Sequence, residues 1–235
     1  MKTILERASE RGHSHIDWAD IFYSFSYGHY KNPERPHFGA LEFLNDYTIA
    51  IGKSYRIEMG QNIILVTLPL KGSLHHSDSY GHTDMVRWGQ VQIMNTGTGT
   101  VTSEYENHSE HHQLEFLQIG IRPKQMDTEP NHGVFEYLNV MQEHSFATII
   151  APDNSAPAQI GQNAWLSIGE FHHGDTVSYQ RKAPGNGIYV AVLGGAVQIG
   201  EYELDTDDSL SITDTDHIDF SFTKNSTVLL IEVPL

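Results

Sequence analysis

The chain has 235 residues, with 14 basic and 30 acidic side chains, a formal net charge of −16 and no cysteine. That length accommodates one large all-β domain or two smaller ones, and buries an ample core without cross-links. The composition excludes disulfides, thiolate metal sites and cysteine nucleophiles, and the acidity disfavours direct binding to nucleic acid or to anionic membranes.

The opening MKTILERASERGHSH has two basic residues by position 7 but no apolar stretch behind them, so no secretory leader is expected. No apolar run approaches the roughly 20 residues of a membrane span. The expected location is the cytoplasm. Lys2 to Glu10 and Asp17 to Tyr23 are candidates for short turns, and no segment carries a long helical period. The rest of the chain is a succession of strand-like runs: FYSFSYGHY (22–30), ALEFLND (40–46), NIILVTLPLKGSL (62–74), VQIMN (91–95) and EFLQIGI (115–121). WLSIGEF (165–171), IYVAVLGGAVQI (188–199) and TVLLIEVPL (227–235) continue it. Turn-forming clusters separate the runs, among them KNPERP (31–36), SYGH (79–82), TGTG (96–99), PDNSAP (152–157) and DTDDS (205–209). The pattern predicts a sandwich or barrel.

The stretch 65–99 runs strand, Gly72, strand, turn, glycine, strand, and 189–212 repeats that order around Gly195. Two related barrel halves fit the length. The polar segment PKQMDTEPNHG (123–133) places the boundary, giving domains 1–130 and 131–235.

GTGTVTSEYEN (97–107) poses the functional question. Thr102 and Glu104 are two apart, so on a strand they share a face. With histidine at the first position they would make two ligands for a divalent metal. Together with RGHSHIDWADIFYSFSYGHY, FGALEFLND, LKGSLHHSDSYGH, WGQVQIMNTGTG, EFLQIGI and LLIEVPL, this stretch resembles the pirin family of double cupins over nearly the whole chain. The resemblance implies two tandem cupin (jelly-roll-like) β-barrels, a bicupin. In metal-bearing relatives it implies an ion held in the N-terminal barrel by an H-x-H pair and an H-x-E pair. It also implies quercetinase-type dioxygenase activity in some relatives and regulatory partnership in others. In this chain the four ligand positions carry Glu58, Gly60, Thr102 and Glu104. The chain therefore resembles the bacterial pirin-like branch that lacks the full metal-ligand set.

Two carboxylates and a hydroxyl, all expected to face inward, suit a hard divalent cation such as Mg²⁺, Mn²⁺ or Ca²⁺ better than a redox iron. Without a cation, a shared proton or an ion pair to Arg56 or Arg87 would settle the two acids. No tightly bound metal and no cofactor is expected, with a divalent cation at Glu58/Glu104 as the alternative. The adjacent pairs His75-His76, His111-His112 and His172-His173 cannot chelate jointly from one strand, because neighbours point to opposite faces. His13, His15, His108 and His111 read as structural or solvated. Trp18, Trp88 and Trp165 read as core anchors. The expected function is a small-ligand-binding or regulatory module built on Glu58, Gly60, Thr102, Glu104 and Met94, with a small molecule or protein as partner. The alternatives are a quercetinase-type dioxygenase using Glu104, and a structural protein whose barrel is packed shut.

Overall fold

The structure, a computed structural model, describes residues 1–235. Its strands in chain order begin with β1 (Lys2–Glu6), β2 (Gly12–Ile16), β3 (Ala19–Tyr23), β4 (Leu41–Ile49), β5 (Ser54–Met59) and β6 (Ile64–Lys71). β7 (Ser73–Asp78), β8 (Thr83–Arg87), β9 (Gln90–Asn95), β10 (Val101–Asn107), β11 (Leu114–Ile121) and β12 (Asn131–Glu136) come next. The remainder are β13 (Phe146–Ala151), β14 (Ala158–Gln159), β15 (Trp165–Phe171), β16 (Thr176–Gln180) and β17 (Asn186–Gly194). β18 (Ala196–Ile199), β19 (Tyr202–Asp205), β20 (Ser209–Thr213), β21 (His217–Phe222) and β22 (Ser226–Pro234) complete them. Only two short 3₁₀ turns interrupt, at Ala8–Glu10 and Leu138–Val140. No helix is long and apolar enough to cross a membrane.

The fold is all-β and built twice. One half has a seven-stranded sheet ordered β12-β9-β6-β11-β4-β3-β2 and a four-stranded sheet ordered β5-β10-β7-β8. The other has β1-β20-β17-β22-β15-β13-β14 and β16-β21-β18-β19. Replacing β4 to β11 by β15 to β22 converts one order into the other, so the internal echo in the sequence is a repeated topology. Gly72 and Gly195 mark it locally. Each joins equivalent strands with φ near +84° and +88°, a conformation open to glycine at no steric cost.

The two compact units do not follow the expected division at residue 130. One comprises residues 12–37 and 41–138, the other 1–11, 38–40 and 139–235. β12 lies in what reads as a polar linker, yet it pairs with β9 from Asn131↔Asn95 to Glu136↔Gln90 and belongs to the first unit. Lys2–Glu6 is not a turn but a strand paired with β20 of the C-terminal unit. The run at 22–30 stops being a strand after Tyr23. A tight turn succeeds it, with Gly28 at φ +52° and a bridge between Tyr27 and Tyr30.

Each unit has its own core. In the N-terminal barrel Ile57, Leu74, Val86, Val101, Tyr105 and Phe116 pack together. In the C-terminal barrel Phe171, Val190, Leu204, Leu210, Phe220 and Leu230 do so. The alternation of these residues along each strand fixes the register, since a one-residue slip would carry the whole set into solvent.

Candidate functional site

The residues at the family ligand positions sit on β5 and its partner β10. The register sets Thr102 opposite Glu58 and Glu104 opposite Arg56. Along β10, Val101, Ser103, Tyr105 and Asn107 are buried, while Thr102, Glu104 and Glu106 are only partly so. Glu58 and Gly60 are exposed. The expected inward orientation is therefore corrected: these carboxylates lie on the outer face of the four-stranded sheet. The cause is Tyr105, wholly buried beside Phe116 and His76, which with Val101, Ile57 and Met59 claims the inner face. Glu104 accepts a hydrogen bond from the Ser54 hydroxyl at 2.8 Å and pairs with Arg56 at 3.4 Å. Met94 is core, 2 % exposed. Trp18 is 41 % exposed and donates to the Ser54 carbonyl, so it is not a core anchor.

A transition-metal dioxygenase site needs imidazoles together with a carboxylate. Here the four positions supply no imidazole, one is a glycine, and Glu104 is already paired with a guanidinium. This donor set does not fit such an ion.

A cavity of about 350 Å³ opens beside these positions and includes Glu58 and Arg56 in its wall. β5 is the free edge of its sheet, and the cavity lies along it. Tyr23, Tyr27, His29, Tyr47 and Tyr55 line the cavity as well. Burial pushes the Tyr27 phenol up to about 12, an effect partly offset by the Tyr47 hydroxyl, and burial raises Tyr47 and Tyr55 as well. All three are hydrogen-bond donors at neutral pH. Two residues along the same face of β4 from Tyr47 is Asn45, paired in register with Gln118 of β11. The side-chain amides of Asn45 and Gln118, with the Ser103 and Tyr105 hydroxyls, are enclosed yet make no closely aligned hydrogen bond. Buried polar groups of this kind are ordinarily satisfied by water or ligand. The barrel interior thus carries polar side chains among its packed apolar ones.

Across the same barrel, β7, β8, β9 and β12 bring His76, Asp84, Gln92 and His132 together. His132 Nε2 lies 2.9 Å from Asp84 Oδ2, and His76 Nδ1 lies 3.8 Å from it. Burial lowers the His76 ring to about 4 and lowers His132 too, so both imidazoles are neutral at pH 7. Residue spacing in the sequence does not reveal this group, because its members come from four strands. His75 obeys the expected alternation. It points away from His76 and stacks on His108 at 4.0 Å.

In the C-terminal barrel a cavity of about 340 Å³ is walled by Glu143, Glu170, Phe171, His172, Asn225 and the start of β22. Glu143, His144 and His172 cluster there, all exposed. Asp175 accepts from His144 Nδ1 and from the His172 backbone, and holds the His144 ring above its ordinary pKa.

A sequence model of pirin matches residues 5–121, and one of the quercetinase C-terminal cupin domain matches residues 148–233. The chain belongs to the pirin family. It is 28 % identical to a quercetin 2,3-dioxygenase of Escherichia coli strain K12 over 232 residues, 98 % of each chain. The crystal structure of YhhW from Escherichia coli superposes with a TM-score of 0.91 at 26 % identity, covering 99 % of this chain and 98 % of that one. The same bacterial pirin in complex with nickel(II) superposes with a TM-score of 0.88 at 27 % identity, over 99 % of both chains. The bicupin expectation holds. For metals, this pirin barrel carries histidine and carboxylate groups that could hold an ion, but at strands other than those bearing the family motif.

Proposed function

We propose that this pirin-family bicupin is a binding module whose N-terminal barrel takes a small planar ligand rich in hydroxyl groups. The observation that carries the reading is the tyrosine wall along the free edge of β5. Tyr27, Tyr55 and His29, backed by the buried Tyr23 and Tyr47, bring aromatic faces and hydrogen-bond donors to one cavity of about 350 Å³, at the small end of the range for ligand sites. Aromatic side chains with a polar tip suit such a partner. The buried amides of Asn45, beside the Tyr47 hydroxyl, and of Gln118, beside the Tyr105 hydroxyl, extend the polar character inward. Relatives named for quercetin make a flavonol the natural probe. The ligand positions occupied by Glu58, Gly60, Thr102 and Glu104 contribute the rim through Glu58, and the pairing of Glu104 with Arg56 argues against oxygenase chemistry at that place.

The test is titration of quercetin into the protein, monitored by quenching of intrinsic fluorescence, with oxygen uptake recorded in parallel. Saturable one-to-one binding that weakens at least about tenfold in Tyr55→Ala, without oxygen uptake, is the expected result. Sustained oxygen consumption that Glu104→Gln abolishes would overturn it in favour of a dioxygenase using Glu104. Absence of binding would sink the flavonol-like ligand class.

A further inference from the structure

We propose that His76, Asp84 and His132 form a site for a divalent transition metal of the zinc type, with the Gln92 amide as its fourth donor. This site is separate from the tyrosine-lined cavity and does not rest on the reading of that cavity. His76, Asp84 and His132 each offer one ligand atom, and these atoms lie within 4.8 Å of one another. Tetrahedral zinc with bonds near 2.0–2.1 Å holds its ligands roughly 3.4 Å apart. The observed separations of 2.9 and 3.8 Å to Asp84 Oδ2 straddle that value.

The Gln92 amide points at the same spot. Its Nε2 lies 2.9 Å from His76 Nδ1 and 3.2 Å from His132 Nε2. The two ring nitrogens thus converge on one point, which is how imidazoles address a metal. Rotation of the amide by half a turn presents Oε1 instead, an exchange of nearly isosteric atoms. Asp84 Oδ2 is enclosed and makes no aligned hydrogen bond despite its closeness to His132. A carboxylate oxygen so placed suits a cation.

Rigid elements hold the group. His76 and Asp84 are direct cross-strand partners on β7 and β8, while Gln92 and His132 come from the paired strands β9 and β12. His76 and Gln92 are each 1 % exposed. His132 is flanked by His82, stacked on it at 4.4 Å and anchored through Nδ1 to Asp78 Oδ2 at 2.7 Å. Such a neighbour fixes the ring plane of a ligand. Asp84 remains one-quarter exposed and provides the way in. Two imidazoles, a carboxylate and an amide oxygen favour Zn²⁺, Co²⁺ or Ni²⁺ over Mg²⁺ or Ca²⁺.

The experiment is titration of chelator-stripped, full-length protein with Co²⁺, read by visible ligand-field absorption, and with Zn²⁺ by calorimetry. One ion per chain is expected. Asp84→Asn and His132→Gln should each weaken binding by about 100-fold or more, whereas Glu104→Gln and His172→Gln leave it unchanged. Circular dichroism checks that each variant folds. If His76→Gln does not fold, the two rim variants still decide the matter. No stoichiometric binding, binding that survives Asp84→Asn and His132→Gln combined, or binding lost in Glu104→Gln or His172→Gln would overturn the assignment.

Discussion

Replacing Glu232 by alanine should be among the most damaging single changes in the C-terminal barrel. Glu232 lies in β22, is wholly buried, and is surrounded by donors. Oε1 accepts from the backbone of Lys182 at 3.0 Å and Ala183 at 2.9 Å, and from Asn186 Nδ2 at 3.0 Å. Oε2 accepts from Lys182 N at 2.8 Å and from the Tyr179 hydroxyl at 3.1 Å. The carboxylate thereby pins the turn between β16 and β17. Hydrogen bonds to a charged group are worth about 1.5–3 kcal/mol each, and stranding their buried partners costs about 1–3 kcal/mol per group. These terms overlap, because all four donor groups share one carboxylate, and stranding them together should cost about 3–5 kcal/mol in all. For a protein of this size that corresponds to a fall of roughly 10 °C in Tm. Glu232→Gln keeps the shape but sets an NH₂ group against donors, at a cost of about 1–3 kcal/mol. Calorimetric melting of the three proteins, with amide exchange at residues 181–186, measures both effects. An alanine variant within about 2 °C of the parent, or a glutamine variant as damaging as alanine, would refute the account.

The geometry leads to three further outcomes. In an alkaline ultraviolet titration, the phenols of Tyr27, Tyr47 and Tyr55 should ionise later than in the unfolded chain. The native state then holds more protons than the unfolded one between pH 10 and about 12, so stability falls as pH rises through that window; coincident native and denatured curves would count against a buried tyrosine wall. Proton NMR should place His144 above its ordinary pKa, and Asp175→Asn should bring it down, because the carboxylate is the chief cause of the shift; an unmoved titration would show that the contact does not form in solution. Gly97→Ala should destabilise the N-terminal barrel by more than about 2 kcal/mol: φ is +50° there and a Cβ would come within 2.0 Å of the Thr128 carbonyl. Chemical denaturation checks this, and a midpoint equal to the parent would contradict it.

Most of the architecture is legible in the sequence. The β6 to β9 run and the β17 to β20 run carry the same order of strands and glycines, and hydrophobic alternation fixes which faces meet. The orientation of the family positions is also written in the chain. In V-T-S-E-Y, Val101 and Tyr105 are the large apolar residues, and burying them turns Thr102 and Glu104 outward. The family motif points the other way because it weighs ligand identity without the packing of the intervening residues. His132 is hidden for a different reason. Its segment is polar and proline-flanked, and only pairing with β9 makes it a strand. Contacts such as His76 with His132 depend on four strands closing a barrel, a long-range property that local spacing does not encode.

The placement of β1 has a kinetic meaning. Residues 2–6 pair with residues 209–213, so the edge of β20 has no partner until nearly the whole chain is available. Contacts of such sequence separation form late and slowly. During synthesis the N-terminal barrel, closed within residues 12–138, has all its strands early, while β1, made before that barrel, waits for a strand made well after it. Until it docks, β20 presents open backbone groups of the kind that recruit another chain. Deleting residues 1–11 would make that transient edge permanent, and self-association, rather than loss of the N-terminal barrel, is the failure this topology invites.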